Sequence, residues 1–388
     1  MANIPRASSE SAADAAGEPP PFFRNQKDSL RVLEAADVVA MSGLGIGLVY
    51  GVVGLLSGFC MMSSLRGWWA DGDGRLVRTY ALAMGIAVIA TQLLASNGGV
   101  DLGKSIYLQP TFSVPLMFAG GVLFGYGMVL ANGCGSRALV LLGRGNLRSF
   151  VVVIVLAVAA EMTLKGLIAP LRIALMQTSQ TTSTATSLPA LLSVAGLHGA
   201  PARLLPALAL GGVLIAFALA HAPFRRAPGQ MLTGLIVGLL IAAGWFATGT
   251  LGADDFNPVP VASLTFVAPI ADALQYVMLS TGSTVNFGIA TVAGVLAGSL
   301  LTAVATRRFK LEGFHSPQHM LRSAGGAALM GVGGVMALGC SVGQGLTGLS
   351  TLALPSFVAI GGIFIGTAVG LCGALRVRPL KIESQPAH

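Results

Sequence analysis

AGGVLFGYGMVLANGCGS, from Ala119 to Ser136, and AGGAALMGVGGVMALGCS, from Ala324 to Ser341, are two versions of one apolar, glycine-studded segment that ends at a cysteine. Ala119 lies 15 residues before Cys134 and Ala324 lies 16 before Cys340, so the copies align with one inserted residue. Both continue into matching tails, SFVVVI from Ser149 and SFVAIG from Ser356. The chain is therefore built from two related halves. A cysteine repeated in this setting points to a two-sided path for something that thiols recognise.

The apolar character of these segments extends over the whole 388-residue chain, whose 54% hydrophobic and 10% charged residues and mean hydropathy of +0.78 exclude a soluble domain. Stretches near twenty residues with few charges start near Val38, Thr79, Ser113, Ser149, Leu204, Met231, Val285, Ser323 and Ser356. The expected fold class is an all-α polytopic integral membrane protein in the lipid bilayer, with about nine transmembrane helices. Glycine recurs every fourth residue at Gly43, Gly47 and Gly51, at Gly121 and Gly125, at Gly294 and Gly298, and at Gly362, Gly366 and Gly370. Helices in lipid gain little from burying leucine against leucine, so these rows read as close-packing faces. The net charge of +8 does not indicate a nucleic-acid partner, because the basic residues lie in loops beside spans. Arg66, Arg75 and Arg78, then Arg137, Arg144 and Arg148, then Arg225 and Arg226, then Arg307, Arg308 and Lys310, and last Arg376, Arg378 and Lys381 follow alternate spans. They set the N-terminus outside and the C-terminus in the cytoplasm. The loop from Thr250 to Ser283, with Asp254, Asp255 and Asp272 but no lysine or arginine, agrees; Arg24, Lys27, Arg31, Arg172 and Arg203 run against it.

With equivalent elements offset by five spans, the second half is turned over relative to the first. GLVYGVVGLLSGF from Gly47 and GLIVGLLIAAGWF from Gly234 extend the match, placing Phe246 near the position of Cys60. The expected organisation is a disordered tail over residues 1–36, a first membrane repeat over 37–170, a loop and connector helix over 171–229, a second repeat over 230–376 and a cytoplasmic tail over 377–388. The Thr178 to Ser187 stretch reads as a flexible, solvated outer loop. Inverted repeats of this kind are common in transporters, where broken helices meet near the midplane.

The four cysteines, Cys60, Cys134, Cys340 and Cys372, contain no CxxC pair, which gives little support to metal binding or dithiol exchange. Cys372, in the last span, reads as a small packing residue. Cys134 and Cys340 differ, since Gly133 and Gly135 flank the first, and Gly339 and Ser341 the second. Glycine permits a helix to break there, and irregular backbone at membrane depth is tolerated only beside protein or a water-filled cavity. A helix restarting after the cysteine would aim free amide donors at the break, an anion-binding arrangement, and the thiol would add a soft, weak donor. Gln344, Thr347 and Ser350 follow Cys340 at helical spacing; they either donate to anion oxygens or tie helices together.

NGCGSRALVLLGRGN (Asn132 to Asn146), SLTFVAPIADAL (Ser263 to Leu274) and GCSVGQGLTGLS (Gly339 to Ser350), with the LSGFC that ends at Cys60, resemble the YeeE/YedE sulfur-transport family. The resemblance runs from about Gly43 to the end of the last span. It implies a helical fold with short broken helices entering from both faces. It further implies import of thiosulfate or a related sulfur anion across the bacterial inner membrane, past Cys60, Cys134 and Cys340, by weak S–H to sulfur contacts. Gly133, Gly135, Gly339, Ser341 and Gln344 are the accompanying candidate site residues. A small cytoplasmic sulfur carrier or a rhodanese-like sulfurtransferase is the partner that the resemblance implies, with no cofactor and no metal. Two other readings stand beside thiosulfate import. One is transport of a selenium compound, sulfite or sulfide. The other is a membrane sulfurtransferase that forms a cysteine persulfide, with Arg137 beside Cys134 to stabilise a thiolate.

Among the remaining polar residues, Glu161 and Lys165 are spaced for a helical ion pair. His315 and His319 flank Pro317 in a loop and give little support to a metal site. Asp272 sits in an apolar stretch that reads as a re-entrant helix, as a cap or hydrogen-bonding group.

Overall fold

The computed structural model describes residues 21–183, 185–197, 199–253, 259–313, 316–373 and 376–377, with side chains from residue 35 onward. Most of the tail expected over residues 1–36, Asp254, Asp255, His315 and the last eleven residues lie outside that set, and the first helix begins at Pro21.

The first half alternates long and short helices. α1 (Pro21–Ser57) breaks at Gly58 into the ten-residue α2 (Met61–Ala70), and α3 (Arg75–Ser96) follows. α4 (Val114–Ala131) breaks at Cys134 into the nine-residue α5 (Gly135–Gly143), and α6 (Leu147–Leu164) closes the half. A connector of α7 (Ala169–Thr178), α8 (Leu188–Val194), α9 (Ala200–Leu219) and α10 (Ala222–Arg225) leads to the second half. There the order recurs: α11 (Pro228–Phe246), the short α12 (Val267–Met278), α13 (Phe287–Ala305), α14 (Pro317–Met336), a helical segment over 341–350, and α15 (Leu354–Leu371).

Packing follows the repeat. α1 lies against α13 as its counterpart α11 lies against α3; α4 lies against α15 as α14 lies against α6; and α4 and α14 meet each other. The halves are inverted, because α1 begins where α11 finishes: Val39 packs with Ala247 and Phe287 at one end. The glycine rows form the seams. A Cβ at Gly47 would collide with the Thr291 carbonyl, and one at Gly125 with the Ile363 carbonyl, so both pairs of backbones touch.

Eight helical stretches are long and apolar enough to cross a membrane, starting at Ala35, Arg75, Val114, Leu147, Ala200, Pro228, Phe287 and Leu354. The ninth expected span, α14, opens with Gln318, His319 and Arg322, which lower its hydropathy, yet its 20 residues are held between α4 and α6. Arginines gather at one end, where Arg66 donates to Asn132 (2.6 Å) and Arg144 meets Glu312 (3.1 Å). We call this the arginine-rich end.

Two expectations need correction. Residues 178–187 are exposed at Thr178 and over 180–182, as expected, but they are not a free loop: Thr181 and Thr182 pair antiparallel with Phe112 and Thr111, Ser179 shares a hydrogen bond with Ser113 (2.6 Å), and the Leu354 amide donates to the Thr186 carbonyl (2.9 Å). The segment satisfies its backbone by docking over the end opposite the arginines. Second, the counterpart of Cys60 is Phe266, which caps α12 as Cys60 caps α2, and not Phe246. α11 continues through a π-helical turn (Ala247–Leu251) and a long loop before its half-helix starts, whereas α1 breaks at once.

Candidate functional site

Four short helical segments start at the centre of the protein. Cys60 and Cys134 are the N-caps of α2 and α5, Phe266 is the N-cap of α12, and Cys340 precedes the segment 341–350. The caps of α2, α5 and α12 make no side-chain hydrogen bond to the first turn. Their leading amides thus remain available as donors, and the helix dipoles add positive potential where they converge. At the fourth start Cys340 itself caps, its Sγ accepting from the Gly343 amide at 3.3 Å.

The chain reaches both cysteine breaks by the same turn. Asn132 and Leu338, each two residues before its cysteine, take left-handed backbone at φ 60° and φ 55°. Asparagine adopts this conformation readily and leucine does not, so the second copy holds the strained version. Gln344 secures it by donating from Nε2 to the Ala337 carbonyl (2.6 Å).

Cys60 Sγ and Cys134 Sγ are 3.6 Å apart, and Cys134 Sγ is 3.2 Å from Ser136 Oγ. Cys60, Cys134 and Cys340 are 2%, 1% and 1% exposed, so the thiol layer is sealed from both ends. Tyr50, buried on α1, lies within electrostatic reach of all three thiols and close to Ser136, with its ring 5.1 Å from that of Phe266. Tyr80 stacks on Phe59 and donates to the Ser341 carbonyl (2.5 Å), which fixes α3 against the second break. These aromatic residues escaped the sequence reading.

A vestibule opens on either side of the thiol layer. At the arginine-rich end a cavity of about 200 Å³ is lined by Asn132, Gly133, Arg137, Arg148 and Ser149 among others. At the opposite end one of about 260 Å³ is lined by Tyr107, Gln109, Leu338 and Gln344. Arg137 Nη1 donates to the Gly58 carbonyl (3.0 Å), tying the first turn of α5 to the turn that breaks α1. This one guanidinium holds the Cys60 and Cys134 breaks in register.

The other candidates fall into structural roles. Thr347 donates to the Leu264 carbonyl (2.6 Å), and Ser350 donates to the Thr347 carbonyl (2.7 Å) while accepting from Trp245 Nε1 (3.0 Å). Both tie helices together. Lys165 bridges Glu161 (3.1 Å) and Asp272 (3.4 Å), joining α6 to the half-helix α12 well away from the thiols. Cys372 is exposed at the end of α15, where the chain leaves the bundle, and is not the packing residue its sequence context suggests. No group of three metal-ligating side chains occurs among the described residues.

Inverted halves whose broken helices aim their N-termini at a sealed, thiol-lined centre, with a vestibule at each end, define a membrane transporter. The family is equally plain. The model of the sulphur transport family matches residues 56–369, and the chain belongs to that family, the YeeE/YedE group. Two relatives carry the name thiosulfate transporter TsuA. The protein of Escherichia coli (strain K12) is 26% identical over 348 residues, covering 84% of this chain and 92% of its own length. That of Spirochaeta thermophila is 26% identical over 326 residues, covering 82% and 94%. The chain is a transporter of sulfur compounds and not an enzyme.

Proposed function

We propose that this protein imports thiosulfate across the bacterial inner membrane through the thiol layer, from the Gln344 vestibule to the Arg137 vestibule, passing Cys340, then Cys60, then Cys134. The observation that carries the reading is the coincidence of three buried thiols with the starts of helical segments in both inverted halves. Thiosulfate is a dianion with a soft terminal sulfur and a hard sulfonate. Open helix N-termini suit its charge, and thiols offer weak S–H donation to its sulfur, strong enough to pass the ion on and too weak to hold it. The arginine-rich end faces the cytoplasm in this reading, by the bias of basic loops toward that side. A cytoplasmic sulfur carrier or rhodanese-like protein then consumes the ion at the Arg137 mouth.

The test is uptake of thiosulfate labelled separately at its two sulfurs into proteoliposomes, with sulfate as control and with sulfite, sulfide and selenium analogues as competitors. Both labels should enter together. Cys134→Ser should cut uptake by about tenfold or more, since 1.4 kcal/mol of lost stabilisation along the path suffices for that factor. Entry of one label alone, or normal uptake by Cys60→Ser, Cys134→Ser and Cys340→Ser at normal expression, would end this reading.

Tyr50 supplies a sharper check. In this reading its hydroxyl, close to Ser136, donates to a sulfonate oxygen while the thiols face the terminal sulfur. Tyr50→Phe keeps the ring against Phe266 and removes the hydroxyl, together with its contact to Ser136. Losing a hydrogen bond to a charged group costs about 2 kcal/mol, so the apparent KM for thiosulfate should rise about thirtyfold with the maximal rate little changed. An unchanged KM would remove Tyr50 from the path.

A further inference from the structure

The Cys60 and Cys134 thiols come from two different half-helices, sit 3.6 Å apart and are sealed in protein, while Cys340 is engaged separately with the Gly343 amide. Disulfide formation needs the two sulfurs to close to about 2.05 Å, a movement of about 1.5 Å that two short helices meeting end to end can supply. Both half-helices are moreover held to one point by Arg137, which keeps the pair in register. Large oxidants are kept out by burial, so the pair can be oxidised only by a small molecule that the path admits.

We propose that Cys60 and Cys134 form a covalent modification site for dianionic disulfanes with sulfonate ends, of which tetrathionate is the simplest, and that the resulting disulfide closes the path. Tetrathionate is two thiosulfate units joined through their terminal sulfurs, with the same charge of minus two and the same sulfonate ends. This inference rests on the thiosulfate reading above, because admission depends on recognition of those ends.

The chemistry proceeds in two exchanges. One cysteine sulfur loses its proton to solvent and attacks the central S–S bond of tetrathionate. A cysteine–thiosulfate mixed disulfide forms and one thiosulfate leaves with the electron pair of the broken bond. The second cysteine, 3.6 Å away, loses its proton and attacks the first cysteine's sulfur, expelling the second thiosulfate. The sum is two thiols plus one tetrathionate giving one disulfide, two thiosulfates and two protons. Tetrathionate is the oxidant, reduced by two electrons, and the cysteine pair is oxidised by two. Serine or alanine at either position leaves the first adduct with no partner.

The linked pair would draw the starts of α2 and α5 together across the space that an anion must cross. It would also remove two of the three thiols. Oxidised thiosulfate would in this way arrest further uptake until a reductant restores the pair.

The experiment uses the full-length protein in the Cys372→Ser background, because the exposed Cys372 thiol would react on its own. The reduced protein in proteoliposomes is treated with tetrathionate, free thiols are blocked under denaturing conditions, and peptides are mapped by mass spectrometry without reduction. The expected result is a Cys60–Cys134 linked peptide, a free Cys340 thiol, two thiosulfates released per protein and at least a tenfold loss of uptake that a phosphine reductant reverses. Cys134→Ser should give a Cys60 thiosulfate adduct, one thiosulfate released and no link. Diamide, a small neutral oxidant, serves as a second probe of the pair. Linking by diamide but not by tetrathionate would overturn the thionate reaction. No link with either, or separate adducts on Cys60 and Cys134, would overturn the pairing itself. Uptake of thiosulfate by the untreated protein is measured in the same vesicles, so a failure of the transport reading shows independently of the disulfide.

Discussion

Gly125→Leu is expected to lower the melting temperature of the detergent-solubilised protein by about 5 °C and to broaden its elution on size exclusion, with Gly47→Leu doing the same from the other seam. At Gly125 a side chain would run into the Ile363 carbonyl and lie 2.9 Å from the Thr367 amide, so no rotamer change relieves it and α4 and α15 must separate. At Gly47 the obstacle is the backbone of Thr291 on α13. Overpacking costs about 1–3 kcal/mol when side chains can adjust, and more when backbone must move, which at roughly 1 °C per kcal/mol for a protein of this size corresponds to a shift of about 5 °C. Glycines on the same helices supply the control. A Cβ at Gly45 on α1 or Gly361 on α15 meets nothing within 4 Å. Gly45→Ala and Gly361→Ala should therefore leave the melting temperature unchanged or raise it slightly, since alanine favours helix over glycine by roughly 0.5–1 kcal/mol. Wild-type melting of both leucine variants would show that the seams are looser than the contacts imply.

The legibility of these seams in the sequence has a physical origin. Close backbone approach requires glycine every fourth residue on one face, and that requirement writes itself directly into the pattern at Gly43, Gly47 and Gly51 and at their partners. The duplicated cysteine segments are legible for a similar reason, because each break needs glycine next to the cysteine. The Glu161–Lys165 pair follows from helical spacing alone. The pore lining is different. In a bilayer both the lipid-facing and the inward faces of α1 are apolar, so periodicity does not separate Tyr50 from its lipid-facing neighbours. A signal existed for one of them: Tyr50 sits inside an apolar run, away from the interfacial positions that aromatic residues favour in membranes, although Tyr126 does so too and Tyr80 lies at the start of its span. Phe266 was hidden by the different lengths of chain between a long helix and its half-helix in the two repeats. The docking of residues 178–187 depends on backbone pairing with residues distant in sequence, which composition does not encode.

Imposing an inside-negative potential of about 100 mV on proteoliposomes that contain no thiosulfate consumer is expected to lower the internal thiosulfate reached at equilibrium by about three decades relative to zero potential. Moving two negative charges inward against that potential costs about 4.6 kcal/mol, and 1.4 kcal/mol is a factor of ten. The prediction holds only for uncoupled transport, and the architecture favours it. Proton coupling needs a group near the path that changes protonation during the cycle. Among the described residues the buried side chains with polar or ionisable groups are serine, threonine, glutamine, tyrosine, tryptophan and the cysteine thiols, with no carboxylate, histidine, lysine or arginine. Of the acids beside the half-helices, Glu161 and Asp272 are engaged by Lys165 between α6 and α12, and Glu312, which lines the arginine-rich vestibule, is engaged by Arg144. Import in the cell must then be drawn by consumption at the arginine-rich mouth, which is why a cytoplasmic sulfur-handling partner belongs in the functional reading. The measurement is the internal-to-external ratio of labelled thiosulfate at several potassium diffusion potentials set with valinomycin. A slope of two charges per ion identifies an uncoupled dianion path. A ratio independent of potential would require two compensating cations per thiosulfate, and the search for a coupling site would then begin with the Glu161–Lys165–Asp272 cluster.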